Sequence, residues 1–240
     1  MKFAVISDIH LSEKAIDGHH SRRGDLGAKL LKCAIGQLNN EDHPELLMVT
    51  GDLSDSPETP HLLDICREIL ETSAAPYIAV PGNHDPAPEV FYRHLPEPPE
   101  FCDISGIRFI PFPFDPQTAG CNAVRLPEEM LRMKRLAAQS RAAVIIQHVP
   151  VFNFIQDLIA CPYNYENAGE IIDCAEEYHI KLAVSGHYHP AFLPYYYQKL
   201  PSVAVPALCE MPFRYALCEM DDSGNLLNYT LKNTRLIPGE

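Results

Sequence analysis

The stretch Gly51-Asp52-Leu53-Ser54-Asp55 places two carboxylates directly after the apolar run Leu46-Leu47-Met48-Val49-Thr50. A short, continuous apolar run of this kind is typical of a strand buried in a parallel sheet. In an open α/β sheet, ligands bind beyond the carboxyl ends of the strands. We therefore expect Asp52 to lie at a functional site.

Four other strand-like runs, at 2–6, 76–80, 142–147 and 180–185, end in the same kind of residue. They are followed by side chains that can bind metal ions, namely Asp8 and His10, Asn83 and His84, His148, and His187 and His189. This set combines imidazole nitrogen with carboxylate and amide oxygen, which suits Zn, Mn or Fe. Cysteine is absent from all of these endings, and this argues against a structural zinc site.

The number of candidate ligands favours two metal ions over one. The set is too large for a single tetrahedral ion and consists of Asp8, His10, Asp52, Asn83, His148, His187 and His189. It fits two ions if one carboxylate is shared, and Asp52 is the natural bridge. Two ions about 3.5–4 Å apart can hold a hydroxide nucleophile and bind both oxygens of an in-line displacement at phosphorus. The pattern therefore predicts phosphoester hydrolysis.

Composition limits the partners and the location. The 240 residues, 46% of them hydrophobic, suffice for one domain over residues 1–240. The formal net charge of −13 disfavours nucleic acid as a partner and favours a small-molecule substrate. The first strand begins directly after Met1 without a signal sequence, and no apolar run could span a membrane, so we expect a cytoplasmic protein. Eight cysteines without a C-x-x-C pair are expected to be reduced thiols.

Apolar periodicity places helices and further strands between these blocks. Helices are predicted at about 26–39, 62–70, 127–139 and 166–178. Between Pro86 and Gln117, a segment rich in proline and aromatic residues, we predict strands near 101–104 and 107–112. Short apolar runs recur in the tail at 192–197, 202–205, 214–219 and 226–231. The loops over 12–25 and 112–127 receive no defined role.

The five strand endings together resemble the sequence blocks of the calcineurin-like metallophosphoesterase superfamily. The matching motifs, in order, are Asp8-x-His10, Gly51-Asp52, Gly82-Asn83-His84-Asp85, His148 and Gly186-His187-x-His189. The resemblance implies a four-layered α/β/β/α sandwich of two mixed sheets flanked by helices, and strands from about residue 192 would belong to the same sandwich.

The same resemblance assigns roles to the individual residues. It implies one metal ion bound by Asp8, His10, Asp52 and His189, and a second bound by Asp52, Asn83, His148 and His187. His84 matches the histidine that contacts the phosphoryl group and helps the leaving oxygen depart, so it would be catalytic and not a ligand. Asp55 admits two interpretations. It either caps the next helix or lies in solvent, or it hydrogen-bonds His84 and fixes its tautomer, as a carboxylate at this spacing does in the phosphatase branch.

Within the superfamily the chain is most similar to the cyclic-nucleotide and glycerophosphodiester phosphodiesterase branch. The similarity includes Pro81, the segment 161–172 and the segment 200–204; residues 112–116 depart from the Asp-Ser pair that the branch often has. Protein Ser/Thr phosphatases follow their second and third blocks with arginines, whereas Ser56 follows Asp55 here and no arginine flanks Asn83. A diester monoanion needs less positive charge than a monoester dianion, so the sequence favours a diester.

The remaining candidates concern the substrate pocket and other activities. Asn167 and Tyr188 are the candidate substrate residues, and other side chains that can border the pocket are His19, His20, Arg22, Arg23, Tyr163 and Tyr165. A phosphomonoesterase or a nucleotide pyrophosphatase of the same fold is the alternative enzyme. A non-catalytic protein-binding scaffold is a third possibility, disfavoured because His84 and every candidate ligand are present.

Overall fold

The computed structural model describes residues 1–15, 21–152, 163–192 and 199–236. Within these residues the first half of the chain forms β1 (Lys2–Ile6), α1 (Gly27–Gln37), β2 (Leu46–Thr50), α2 (Leu62–Leu70), β3 (Tyr77–Val80) and α3 (Pro88–His94). The second half forms β4 (Cys102–Ile104), β5 (Ile107–Pro111), α4 (Pro127–Ala137), β6 (Ala143–Ile146), α5 (Ala168–Glu177) and β7 (Ile180–Ser185). The tail adds β8 (Ser202–Ala204), β9 (Arg214–Met220) and β10 (Leu226–Asn233).

The strands form two five-stranded sheets, and each sheet is mixed. The first has the order β10-β9-β1-β2-β3, in which β1, β2 and β3 are parallel and β9 and β10 are antiparallel to their neighbours. The second has the order β4-β5-β6-β7-β8, in which only β4 is antiparallel. The tail is thus divided between the sheets, since β8 extends the second and β9 and β10 extend the first.

Alternate residues of each central strand pack in different layers. In β1, Phe3 and Val5 face the other sheet, where the Phe3 and Phe109 rings meet edge to face at 5.9 Å, whereas Ala4 and Ile6 pack under the helices. A strand covered on both faces needs apolar residues throughout, which explains the continuous runs in the sequence. Helices α1 to α3 cover the first sheet and α4 and α5 cover the second. The predicted sandwich of two mixed sheets flanked by helices is confirmed.

The proline-rich segment contains an element that the sequence pattern did not predict. Both strands predicted there exist as β4 and β5, but helix α3 precedes them, with Pro88 in its first turn. Proline is tolerated at that position because its missing N–H would have no intrahelical partner. Helix α3 has seven residues and buries Phe91. An apolar pattern this short does not predict a helix. The segment 192–197, predicted as a strand, lies almost entirely outside the described residues.

The carboxyl ends of β1, β2, β3, β6 and β7 therefore meet at one edge of the sandwich.

Among the described helices, none combines the length and apolar character required to cross a bilayer. Seven described cysteines carry free thiols, as expected: Cys33, Cys66, Cys102, Cys121, Cys174, Cys209 and Cys218.

Candidate metal centre

Four of the candidate ligands have a left-handed backbone conformation. Asp8, His10, Asp52 and His187 have φ angles of 53°, 46°, 53° and 65°. Such values are uncommon for residues other than glycine and cost about 1–3 kcal/mol where the structure imposes them, typically at functional sites. The chain therefore turns sharply after β1, β2 and β7, and the turns bring the four residues to the same edge of the sandwich.

Two glycines let these turns approach each other closely. A Cβ atom on Gly82 would collide with Oδ1 of Asp52. A Cβ atom on Gly186 would collide with Oγ of Ser7 and lie 2.5 Å from Oδ2 of Asp8. Larger residues at these positions would displace the carboxylates. Steric crowding thus explains why glycine occupies these positions of the third and fifth motifs.

The first group of donor atoms consists of Asp8, His10 and His189. Nε2 of His10 lies 3.2 Å from Nε2 of His189, and the latter lies 3.3 Å from Oδ1 of Asp8. Two nitrogens bound about 2.1 Å from one tetrahedral ion would be about 3.4 Å apart. The observed spacing therefore fits ligands of a single ion. All three donor atoms lie within 4.8 Å of one another.

The second group consists of Asp52, His148 and His187, whose donor atoms also lie within 4.8 Å of one another. Asn83 joins it, because its Oδ1 lies 3.0 Å from Nε2 of His148. His187 Nε2 donates to the carbonyl of Cys121 at 2.9 Å, which leaves Nδ1 as its free donor atom. The structure therefore brings together all the residues expected for the second ion.

Asp52 lies between the two groups. Its Oδ2 is 3.5 Å from Nε2 of His10 and 3.4 Å from Nε2 of His148. One carboxylate oxygen thus faces a histidine of each group at nearly the same distance, as a bridging ligand must. The other oxygen, Oδ1, accepts a hydrogen bond from the His84 main-chain N–H at 2.8 Å. This bond ties the bridge to the turn after β3.

Charges inside the site oppose the effect of burial. Burial disfavours ionisation of Asp52, yet the neighbouring His148 and His10 hold its pKa well below the ordinary value. Burial lowers the pKa of His148, but the Asp52 carboxylate outweighs it and raises that pKa to about 9. Burial and the charge of His148 lower the pKa of His187 to about 4. A ligating imidazole must be neutral, so a proton on His148 would compete with a metal ion for the same nitrogen.

Outer partners orient three of the candidate ligand imidazoles. His10 Nδ1 contacts Oδ1 of Asp55 at 3.0 Å, and His189 Nδ1 contacts Oε1 of Glu210 at 2.9 Å. His148 Nδ1 donates to the carbonyl of Thr50 at 2.7 Å. Each contact places a hydrogen on Nδ1 and leaves Nε2 free to bind a metal ion, which is the usual arrangement behind ligating histidines.

His84 stands at the edge of both groups. Its Nδ1 donates to the main-chain carbonyl of Asp55 at 2.9 Å, and its side chain is 31% exposed. Nε2 is therefore the ring nitrogen that this bond does not use. A cleft of about 330 Å³ opens over the centre, and its lining includes Arg22, Asp52, His84, Tyr188 and Glu210. The candidate substrate residue Tyr188 thus borders the centre.

These positions can be compared with known proteins. The family model described as calcineurin-like phosphoesterase matches residues 1–191. The chain belongs to the calcineurin-like phosphoesterase family. The predicted family is confirmed, and with it the general class of metal-binding phosphoester hydrolases.

One protein is similar to this calcineurin-like phosphoesterase in sequence, and two solved structures are similar to it in fold. A Synechococcus sp. protein named as a probable cyclic nucleotide phosphodiesterase is 25% identical over 199 residues, which cover 80% of this chain and 75% of that protein. A dimetal phosphatase from Danio rerio has a TM-score of 0.73 at 13% identity, covering 99% of this chain and 96% of its own. Purple acid phosphatase from yellow lupin (Lupinus luteus) seeds has a TM-score of 0.68 at 14% identity, with 98% and 51% covered.

The contacts of Asp55 differ from the predicted ones. Its carboxylate forms a hydrogen bond with His10, whereas Oδ1 lies 4.0 Å from Nδ1 of His84. The hydrogen bond to His84 comes from the main-chain oxygen of Asp55 instead. The residue therefore touches both histidines, but its side chain orients a candidate ligand and not the candidate acid.

Asn167 has a structural role in the described contacts. Its Oδ1 accepts from the main-chain N–H of Arg125 at 3.0 Å, and its Nδ2 donates to the carbonyl of Arg125 at 2.9 Å. These bonds join the loop before α4 to the start of α5, so the side-chain amide of Asn167 is hydrogen-bonded to main-chain groups.

Other candidate pocket residues also have structural contacts or lie outside the described part of the chain. Tyr165 is buried and bonds Asp115, and Arg23 pairs with Asp25. His19 and His20 lie outside the described residues.

Two side chains that form hydrogen bonds around the site were not predicted from the sequence. Asp85 is buried and accepts hydrogen bonds from the main-chain N–H groups of Leu53, Ser54 and Gly82, and from Ser54 Oγ. Burial, together with the Asp52 charge, raises its pKa to about 6. A carboxylate in a tight turn is a signal for such bonds. Glu210 gave no signal, because it lies far along the chain from the motifs.

We expect Asp55→Asn and Glu210→Gln each to weaken metal binding by about 10–100-fold, because each removes the charge that orients a ligating imidazole. The measurement is a titration of each variant with Mn²⁺, with Asp173→Asn as control, since Asp173 is an exposed carboxylate of α5. Unchanged affinity in both variants would contradict the assignment. Asp55→Asn keeps the carbonyl that holds His84, so it separates the two contacts of this residue.

Proposed function

We propose that this calcineurin-like phosphoesterase is a dinuclear enzyme that hydrolyses a small phosphodiester, such as a cyclic nucleotide or a glycerophosphodiester. The supporting observation is the position of Asp52 Oδ2, 3.5 Å from the imidazole of one donor group and 3.4 Å from that of the other. A shared carboxylate oxygen would join two ion sites into one centre. Such a pair of divalent ions supplies positive charge at the phosphoryl oxygens and activates water for attack at phosphorus.

The residues around that centre would have separate roles in metal binding and proton transfer. Asp8, His10 and His189 would hold one ion, Asn83, His148 and His187 would hold the other, and Asp52 would be shared between them. Mn, Fe and Zn all accept this mixture of nitrogen and oxygen donors. His84, with Nδ1 fixed by the Asp55 carbonyl, presents Nε2 toward the cleft and donates a proton to the leaving oxygen.

The charge of the cleft supports a diester over a monoester. Arg22 is the one arginine or lysine among the described residues that line it, and its Nη1 lies 3.9 Å from Oδ1 of Asp55. Part of its charge is therefore balanced. A monoester dianion that needs two or more cationic side chains would find one here, whereas a diester carries a single negative charge. The name of the Synechococcus relative points in the same direction.

A paired substrate assay with added Mn²⁺ tests this proposal. We expect kcat/KM for bis(p-nitrophenyl) phosphate to exceed that for p-nitrophenyl phosphate by about tenfold or more, because the leaving group is the same and only the charge and the second ester differ. A chelator should abolish both activities, and Mn²⁺ should restore them. Faster turnover of the monoester would contradict the diester assignment, and a metal-loaded protein inert to both would contradict hydrolysis itself.

A further inference from the structure

A second cavity, of about 280 Å³, adjoins the metal centre and has Asn83 and His148 among its lining residues. Its other walls are mainly apolar and include Pro81, Pro86, Pro88, Pro113, Phe112 and Phe114. We call it the proline cavity. Because two candidate ligands line it, a substrate whose phosphate lies at the metal centre has an organic substituent within reach of the cavity.

Only one of the two phenylalanines offers a free ring. The guanidinium of Arg125 lies 3.6 Å from the ring centroid of Phe112, and that of Arg132 lies 4.5 Å from it. Phe112 is also buried. Phe114, in contrast, is 53% exposed. An aromatic cage for a quaternary ammonium needs several ring faces, whereas a single exposed ring beside prolines suits stacking of a flat ring.

Apart from the candidate ligand His148, the described lining of the proline cavity offers no cationic side chain for a second anion site. Its described lining contains no lysine or arginine. Asp85 accepts four hydrogen bonds, and Asp115 is paired with Arg125 and is 5% exposed. Neither carboxylate is free to hold a cationic substituent. A neutral group with an apolar face is the ligand that these walls match.

The wall that carries Phe114 is held in place by its neighbour in the chain. Asp115 accepts from Nη2 of Arg125 at 2.8 Å, from Nε at 3.1 Å and from the hydroxyl of Tyr165 at 2.7 Å. Arg125 is fully buried and also bonds Oε1 of Gln147, the residue before His148, at 2.8 Å. One buried network thus fixes both the aromatic wall and the strand end that bears a ligand. Such preorganisation lowers the entropic cost of binding.

We propose that the proline cavity binds the heteroaromatic base of a nucleotide substrate by stacking on Phe114, while the phosphodiester lies at the metal centre. This inference rests on the proposed diester hydrolysis and narrows its substrate class. It would lower KM for a nucleotide relative to a glycerophosphodiester, because glycerol and its charged head groups have no flat apolar face. Stacking on one aromatic side chain tolerates different bases.

The absence of tryptophan from the chain allows a binding test without turnover. Phe114→Trp introduces one fluorescent ring into the proline cavity. We expect adenosine, titrated without added metal, to quench its emission saturably. Leu227→Trp, at an exposed position of β10, is the control and should show only linear, collisional quenching. Linear quenching in both variants would overturn the inference.

A kinetic test uses Phe114→Ala with Mn²⁺ and two substrates. For adenosine 3′,5′-cyclic phosphate we expect KM to rise about tenfold, and Phe114→Tyr should restore it because the ring is retained. For glycerophosphoethanolamine we expect no change in KM. Equal changes for both substrates would indicate a structural role and overturn the inference.

The two tests separate the subsite from the proposed function. A protein that hydrolyses neither diester but shows saturable quenching at position 114 would refute the diesterase and retain the base subsite. A protein that hydrolyses both diesters, with neither quenching nor KM dependent on residue 114, would retain the diesterase and refute the subsite.

Discussion

Replacing Asp52 with alanine is expected to remove both metal ions and to lower kcat/KM for a phosphodiester by about 10³-fold or more. The reason is the position of Oδ2, which faces His10 and His148 at nearly equal distances. Without it, each ion would lose a ligand and the centre would lose the negative charge that offsets two dications. Loss of the bridge should therefore affect both sites together, unlike loss of a ligand that serves one ion.

Metal analysis and kinetics on the same preparations check this expectation. Removing a buried carboxylate also leaves His148 without its charge partner, which destabilises the protein. Asp52→Asn is therefore the second variant, because an amide oxygen can still accept the His84 main-chain N–H. The control is Asp221→Ala, in the exposed turn between β9 and β10. A folded Asp52→Asn protein that keeps two ions and full activity would refute the bridging role.

The sequence predicted that the candidate ligands lie close together, because the sheet determines where the strand ends meet. A run such as Leu46–Thr50, buried at every position, can only be a central strand, and neighbouring parallel strands present their carboxyl ends at one edge. Polar residues after several such runs are thus brought together by topology alone. Side-chain torsions are not needed for that conclusion, so Asp8, Asp52 and His148 could be placed from the sequence.

The hydrogen bonds that orient the candidate ligands could not be predicted from the sequence, for a related reason. Which of His10 and His84 receives the Asp55 carboxylate depends on a turn in which Asp52 has a positive φ angle, and residue spacing does not encode that turn. Glu210 reaches His189 from the segment after β8. Asn167 could not be told from a substrate residue, because a polar side chain that joins two loops and one in a cleft look alike in a single sequence.

His84→Ala is expected to retain both ions and to lower kcat for a cyclic nucleotide by about 10²–10⁴-fold, the usual contribution of a general acid. The expectation follows from the contacts of the ring. Nδ1 is fixed by the Asp55 carbonyl at 2.9 Å, which leaves Nε2 as the ring nitrogen available in the cleft that His84 lines. The leaving group of a cyclic nucleotide is an alkoxide, a poor leaving group that departs much faster when an acid protonates it. An ester of p-nitrophenol needs no such proton, so its hydrolysis should suffer far less.

The comparison of the two leaving groups distinguishes an acid from a ligand. His84 also has a donor atom within 4.8 Å of donors on His10 and Asp55, so proximity alone would allow it to bind a metal ion. A ligand's removal would cost metal and would slow both substrates alike, whereas removal of an acid leaves the metal content unchanged and slows mainly the alkyl ester. His61→Ala, at a side chain that is 60% exposed, is the control for loss of a histidine. Equal metal loss in His84→Ala and Asp52→Ala would make His84 a ligand, and the proton would then have to come from another group in the cleft.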